Sequence, residues 1–180
     1  YLGGKMIVQK DFLNKIKPSR ILEIGTSLGG FTTFLKIACN ELELNTNIRS
    51  YDINQHPWYD SIRERGVDLR VENIFTEGFL DFDQEVKDYI QQDGITIVLC
   101  DGGWKIGEFN LLSDYIKSGD FIMAHDYSFD DETYKNKIQN KIWNWCEITE
   151  QDIEESVIEN NLKSYNQDKF SQAVWVCKVK

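Results

Sequence analysis

The sequence predicts an α/β fold built on a doubly wound parallel sheet, and three observations carry that reading. Short apolar runs alternate with segments of helical periodicity from residue 5 to residue 124. The run Ile95-Thr-Ile-Val-Leu-Cys100 is almost wholly apolar and bounded by Gly94 and Asp101, the signature of a central parallel strand covered on both faces. The stretch Ile21-Leu-Glu-Ile-Gly-Thr-Ser-Leu-Gly-Gly30 joins an apolar strand to a glycine-rich turn and a helix start at Phe31. That is the layout of a nucleotide-type cofactor site at the end of a parallel strand.

The elements follow in order. Met6, Ile7, Phe12, Leu13 and Ile16 recur at helical spacing over residues 5–16, and Pro18 ends the segment. A first strand over 20–24 leads through the glycine-rich turn to a helix over 31–42. A second strand spans 48–53 and ends at Asp52, a helix over 58–65 is closed by Gly66, and a third strand spans 67–72. Residues 81–91 are helical, with Val86, Tyr89 and Ile90 on one side and Gly94 as the cap. After the fourth strand, a helix over 107–117 turns Phe109, Leu112, Tyr115 and Ile116 inward, and Phe121-Ile-Met-Ala124 is a fifth strand. A polar helix over 134–145, an acidic segment over 150–159 and two last strands over 162–165 and 173–179 complete the chain. No clear helix separates those last strands, which predicts a hairpin.

Composition bounds the function. A chain of 180 residues with 41% hydrophobic residues and five Trp has the make-up of one globular domain over residues 1–180. A net charge of −10 without a basic run argues against duplex nucleic acid as a partner. No apolar run reaches the ~20 residues that cross a bilayer, and no signal-peptide pattern is present. Cys39, Cys100, Cys146 and Cys177 form no C-x-x-C pair, so free thiols in a reducing, cytoplasmic setting are expected. Nothing here excludes a homo-oligomer.

The glycine-rich turn is specific in its variant. Gly25 supplies the tight turn, and Gly29 and Gly30 are expected to let the helix come close to strand and ligand. Ser27 stands where a dinucleotide fold needs its second glycine for a pyrophosphate. The pattern Glu23-x-Gly25-x-x-x-Gly29-Gly30 resembles motif I of class I S-adenosylmethionine (SAM) methyltransferases. That resemblance implies a Rossmann-like seven-stranded sheet of order 3-2-1-4-5-7-6, strand 7 antiparallel. It also makes SAM the cofactor, held by Glu23, Gly25, Thr26, Ser27, Gly29 and Gly30.

Further strand ends fit the same ligand. Asp52 ends the second strand, where an acceptor-only carboxylate can take both hydroxyls of a ribose. Asn73 can pair with an adenine edge, with Ile53 and Phe75 on its faces, and Asp101 ends the fourth strand where the sulfonium would lie. Each alone is also an ordinary turn or cap residue. Trp104 either covers the adenine or walls the acceptor pocket.

Asp101-Gly-Gly-Trp-Lys105 and Gly119-Asp-Phe-Ile-Met-Ala-His-Asp-Tyr127 resemble segments of small-molecule O-methyltransferases, among them catechol and antibiotic-sugar enzymes, and Tyr1-Leu-Gly3 with Lys17-Pro18 is similar to their cephalosporin hydroxylase-like relatives. The resemblance implies Mg²⁺ or another divalent ion on Asp101, Asp126 and His125, with Asp101, His125 and Lys105 as catalytic residues. His125 departs from the family's acidic pair. It is either a ligand that tilts the site toward softer ions or a general base. Lys105 is expected to be a solvated surface lysine, turned away by the extra glycine before Trp104. Tyr134, Trp143 and Trp145 fall where this family places acceptor-specificity elements, although Ile138, Ile142 and Trp145 also have the spacing of a helix packed on the sheet.

The function these readings imply is SAM-dependent O-methyl transfer to a small hydroxylated acceptor, a sugar or sugar-bearing metabolite. Two alternatives stand beside it: an NAD(P)-dependent oxidoreductase, against which Ser27 counts, and a non-catalytic SAM-binding interaction domain.

Overall fold

The computed structural model describes residues 2–180, with side chains from Val8 onward. Tyr1, the first residue of the Tyr1-Leu-Gly3 likeness, lies outside the described residues, as do the side chains of Met6 and Ile7.

Helix α1 (Leu2–Ile16) precedes β1 (Arg20–Ile24), α2 (Gly30–Glu41), β2 (Asn47–Asp52), α3 (Tyr59–Glu64) and β3 (Asp68–Val71). Then come α4 (Gln84–Gln91), β4 (Thr96–Cys100), α5 (Lys105–Ser113) and β5 (Phe121–Ala124). The last third holds β6 (Tyr127–Ser128), α6 (Asp131–Thr133), β7 (Ile148–Thr149), α7 (Glu150–Glu159), β8 (Lys163–Ser164), α8 (Gln167–Ser171) and β9 (Val176–Val179).

Seven strands form one sheet in the order β3-β2-β1-β4-β5-β9-β8, the expected arrangement. β1 pairs in parallel with β2 and β4, and β4 with β5, whereas β9 runs antiparallel to both β5 and β8. The central strands are buried along their whole length, and their alternating side chains feed two cores. Leu22, Val98 and Ile122 pack under α4, α5 and α7 with Tyr89, Phe109 and Ile153. Ile21, Ile97 and Phe121 pack with Leu13, Leu35 and Phe170 from α1, α2 and α8. The sheet therefore needs helices on both faces. Its carboxyl edge, where five parallel strands end side by side, is left to loops.

Several sequence expectations are corrected, most of them beyond the fifth strand. The helix expected over 134–145 stops at Ile138, after α6 has run into a π-type turn over Tyr134–Ile138. Asn140 takes a left-handed φ of 58°, which breaks the helical path, and Trp145 is exposed rather than packed on the sheet. Tyr127–Ser128 and Ile148–Thr149 form a two-strand parallel pair that periodicity did not reveal. The acidic segment is helix α7, started by a capping box between Thr149 and Asp152 and buried through Ile153 and Ser156. A short helix, α8, interrupts the expected hairpin. α4 begins only after Asp83 caps it, and α5 ends at Ser113 instead of reaching 117.

Candidate functional site

The glycine-rich loop between β1 and α2 is fixed by close approach. Gly25 has φ +92°, and a Cβ there would collide with the main chain of Asp101 and Gly102. Its N–H, 2.8 Å from the Tyr51 carbonyl, ties the loop to β2. Gly29 (φ +77°) lies against the Ile62 side chain of α3, so the approach it permits is helix to helix, not helix to strand. Gly30 has no such constraint, since a Cβ there would meet nothing within 4 Å.

Glu23 and Thr26 lie beneath this loop. The buried Glu23 carboxylate accepts hydrogen bonds from Thr32 (2.6 Å) and Ser50 (2.5 Å), and Ser50 in turn pairs with the Thr26 hydroxyl at 2.6 Å. Burial pushes the Glu23 carboxyl up to about 7, against the lowering effect of the Ser50 and Thr32 hydroxyls. The first turn of α2 covers this network. Glu23, Thr26, Gly29 and Gly30 therefore shape the loop without lining the cavity in front of it.

That cavity, of about 540 Å³, opens at the carboxyl ends of the parallel strands. Gly25, Ser27, Asp52, Ile53, Asn73, Asp101 and Trp104, all expected at a cofactor site, line it. Asp52 is held by two main-chain donors, Ser27 N–H to Oδ2 at 2.7 Å and Asn54 N–H to Oδ1 at 2.8 Å. Each oxygen keeps further acceptor capacity for a ligand hydroxyl. Asn73 Oδ1 accepts from the Phe75 N–H at 3.1 Å, a turn that leaves its NH₂ group uninvolved. Phe75 stacks on Phe79 at 4.4 Å, and Trp104 meets Phe79 edge-on at 4.7 Å, giving the cavity an aromatic wall.

Asp101, His125 and Asp126 converge next to this cavity from the ends of β4 and β5. Their ligand atoms lie within 4.8 Å of one another. His125 Nδ1 is 3.4 Å from Asp101 Oδ1 and 3.1 Å from Asp126 Oδ1. Asp126 holds a left-handed φ of 58°, a backbone state tolerated by Asp and typical of functional turns. Its Oδ1 also accepts the indole N–H of Trp143. The His125 ring sits between Trp175, at 4.8 Å, and Trp143, at 5.4 Å. Two carboxylates and an imidazole are a chemically suitable donor set for a divalent ion.

Lys105 corrects the expectation of a surface lysine. It is 5% exposed, and its Nζ lies 2.7 Å from Glu147 Oε2, 3.0 Å from Asp126 Oδ2 and 3.1 Å from the Gly102 carbonyl. Burial alone would lower its pKa, but Glu147, Asp101 and Asp126 outweigh that and hold it above the ordinary lysine value. It is an ammonium, unsuited to act as a neutral base.

Two residues, Glu108 and Glu147, and one contact, the Trp143 bond to Asp126, were not anticipated. Glu108 lines the cavity and accepts from the Gly102 and Trp104 N–H groups at 3.1 and 3.2 Å, bracing the loop that carries Asp101. Burial pushes its carboxyl up to about 7. An acid in the first turn of a helix with an apolar inner face was the available signal. Glu147, whose N–H donates to the Asp126 carbonyl at 2.9 Å, left no signal in its neighbourhood, and neither did the Trp143 bond to Asp126.

No protein-family model and no curated protein sequence matches the chain. Among solved structures it is similar to the apo form of CmcI, with a TM-score of 0.62 and 14% identity over 97% of this chain and 70% of that one. CmcI with Mg and SAM gives 0.60 at 15% identity over the same shares. An O-methyltransferase family protein from Burkholderia thailandensis gives 0.59 at 9% identity, covering 97% of this chain and 55% of that one. At such identities the likeness establishes the fold: the Rossmann-like sheet of class I SAM methyltransferases.

Proposed function

We propose that this chain is a SAM-dependent O-methyltransferase acting on a small hydroxylated acceptor, a sugar or sugar-bearing metabolite. The observation that carries the reading is the continuity of the site. One nucleoside-sized cavity is lined by both Asp52 and Asp101, and the His125–Asp126 pair stands beside Asp101. Asp52 would bind the ribose hydroxyls, Asn73 the adenine edge, and Ile53 and Phe75 the faces of the base. SAM supplies a methyl group on a sulfonium, ready for in-line displacement.

The remaining work falls to the chain. Loops after β1 and β4 fix the donor, which removes much of the entropic barrier to a two-substrate reaction. His125 Nδ1 faces Asp101 at 3.4 Å and Asp126 at 3.1 Å, and the imidazole would be the group that takes the proton of the attacking hydroxyl. Trp143 and Trp145, at 5.1 Å from each other, offer aromatic faces of the kind that sugar rings pack against. Where a divalent ion is bound, Asp101 and Asp126, with His125 as a ligand in place of that base role, would hold it, and it would supply Lewis acidity toward the acceptor oxygen.

Calorimetry with S-adenosylhomocysteine (SAH), followed by methyl transfer to a panel of sugars and catechols, tests the reading. Saturable SAH binding and transfer to a hydroxylated acceptor are expected. A folded sample that binds NADH and not SAH would overturn it.

A further inference from the structure

Lys105 sits where its own helix disfavours it. It is the first residue of α5, and a cation at a helix N-terminus opposes the helix dipole. What holds the ammonium there is a ring of acceptors: Glu147 at 2.7 Å, Asp126 at 3.0 Å, the Gly102 carbonyl at 3.1 Å and Asp101 at 3.6 Å. Two of these, Asp101 and Asp126, are also carboxylates of the cluster able to share an ion with His125. The third carboxylate, Glu147, comes from the segment before β7, 42 residues away, and is pinned by its N–H to the Asp126 carbonyl.

We propose that Lys105 is the built-in cation of this cluster and competes with divalent ions for Asp101 and Asp126. The ammonium neutralises the same oxygens an ion would need, and two cations on one pair of carboxylates repel each other strongly in a partly buried site. Three carboxylates still exceed one ammonium, so a divalent ion is attracted, but weakly. Glu147 keeps the ammonium in place by giving it a partner that lies outside the Asp101–His125–Asp126 trio. Cation binding of this kind does not depend on methyl transfer.

The test is titration of Mn²⁺ alone into the parent chain and into Lys105→Met, Lys105→Gln and Lys105→Arg, each checked for folding by circular dichroism. The neutral variants should bind Mn²⁺ at least about ten-fold more tightly than the parent, and Lys105→Arg, which keeps the charge, should stay close to the parent. Lys105→Gln can still bond to Glu147 and the Gly102 carbonyl, so it serves if Lys105→Met does not fold. Neutral variants that bind no more tightly than the parent, or no detectable binding to any of the four, would overturn the proposal. So would equal tightening in Lys105→Arg, because volume rather than charge would then be the cause.

Discussion

Gly25 and Asp101 are packed main chain to main chain. The glycine's φ is +92°, and its missing side chain is the space the Asp101 carbonyl occupies. Through this contact the loop after β1 and the loop after β4, which line the same cavity, are set against each other. Gly25→Ala combines a left-handed alanine with a backbone collision, and the two together should cost about 2–5 kcal/mol of stability. Denaturant unfolding measures the loss, and SAH calorimetry should show binding abolished. An alanine variant as stable as the parent would mean the loops are not held by this contact.

Asp52 carries the proposed ribose contact. Its carboxylate also staples Ser27 and Asn54 to the end of β2. Asp52→Ala should weaken SAH binding by about two orders of magnitude, the scale of losing hydrogen bonds to a charged group. Asp52→Ala should show no such loss with adenine alone, which lacks the ribose.

Glu23 gives a pH signature. Its carboxyl titrates near 7 in the folded chain against 4.5 as the unperturbed value, because burial outweighs the Ser50 and Thr32 hydrogen bonds. The folded state therefore binds more protons between those values, and this group's contribution to stability is present below about pH 4.5 and lost as pH rises through 7. Glu23→Gln cannot ionise. Its stability relative to the parent should rise by about 3 kcal/mol between the two ends of that window, the equivalent of the shift. Urea unfolding at both ends measures it, and a pH-independent difference would contradict the assignment.

Trp143 donates its indole N–H to Asp126 while its ring flanks His125. Trp143→Phe keeps an aromatic face and removes only the donor, a bond to a charged group of about 1.5–3 kcal/mol. Methyl-transfer efficiency should fall about ten- to one-hundred-fold while SAH affinity stays within about two-fold, because Trp143 contacts His125 and Asp126, the groups proposed to face the acceptor. Parallel loss of SAH affinity would place Trp143 in the donor pocket instead.

Much of the cavity lining could be read from local sequence. Ser27, Asp52, Asn73 and Asp101 sit at strand ends fixed by apolar runs and turns, and in the structure they line one cavity. The details of burial were less legible. Glu23 and Thr26 belong to the same motif but point into the core under α2, since the first helical turn folds back over the strand. Segment 139–147 misled for a different reason. Its apolar spacing is helical, but the Trp143 bond to Asp126 and the left-handed Asn140 fix it in an irregular path.

The sequence by itself determined the α/β class, the strand order through its motif likeness, and the positions of the loops that end the strands. These depend on short-range periodicity and on turn chemistry, which neighbouring residues encode together. Only the tertiary structure decided that Lys105 is an interior ammonium shared by Asp101, Asp126 and Glu147. It also decided that Glu108 braces the loop carrying Asp101. The charge on such groups is set by partners brought together by folding, some of them dozens of residues apart, and burial then magnifies each of those contacts.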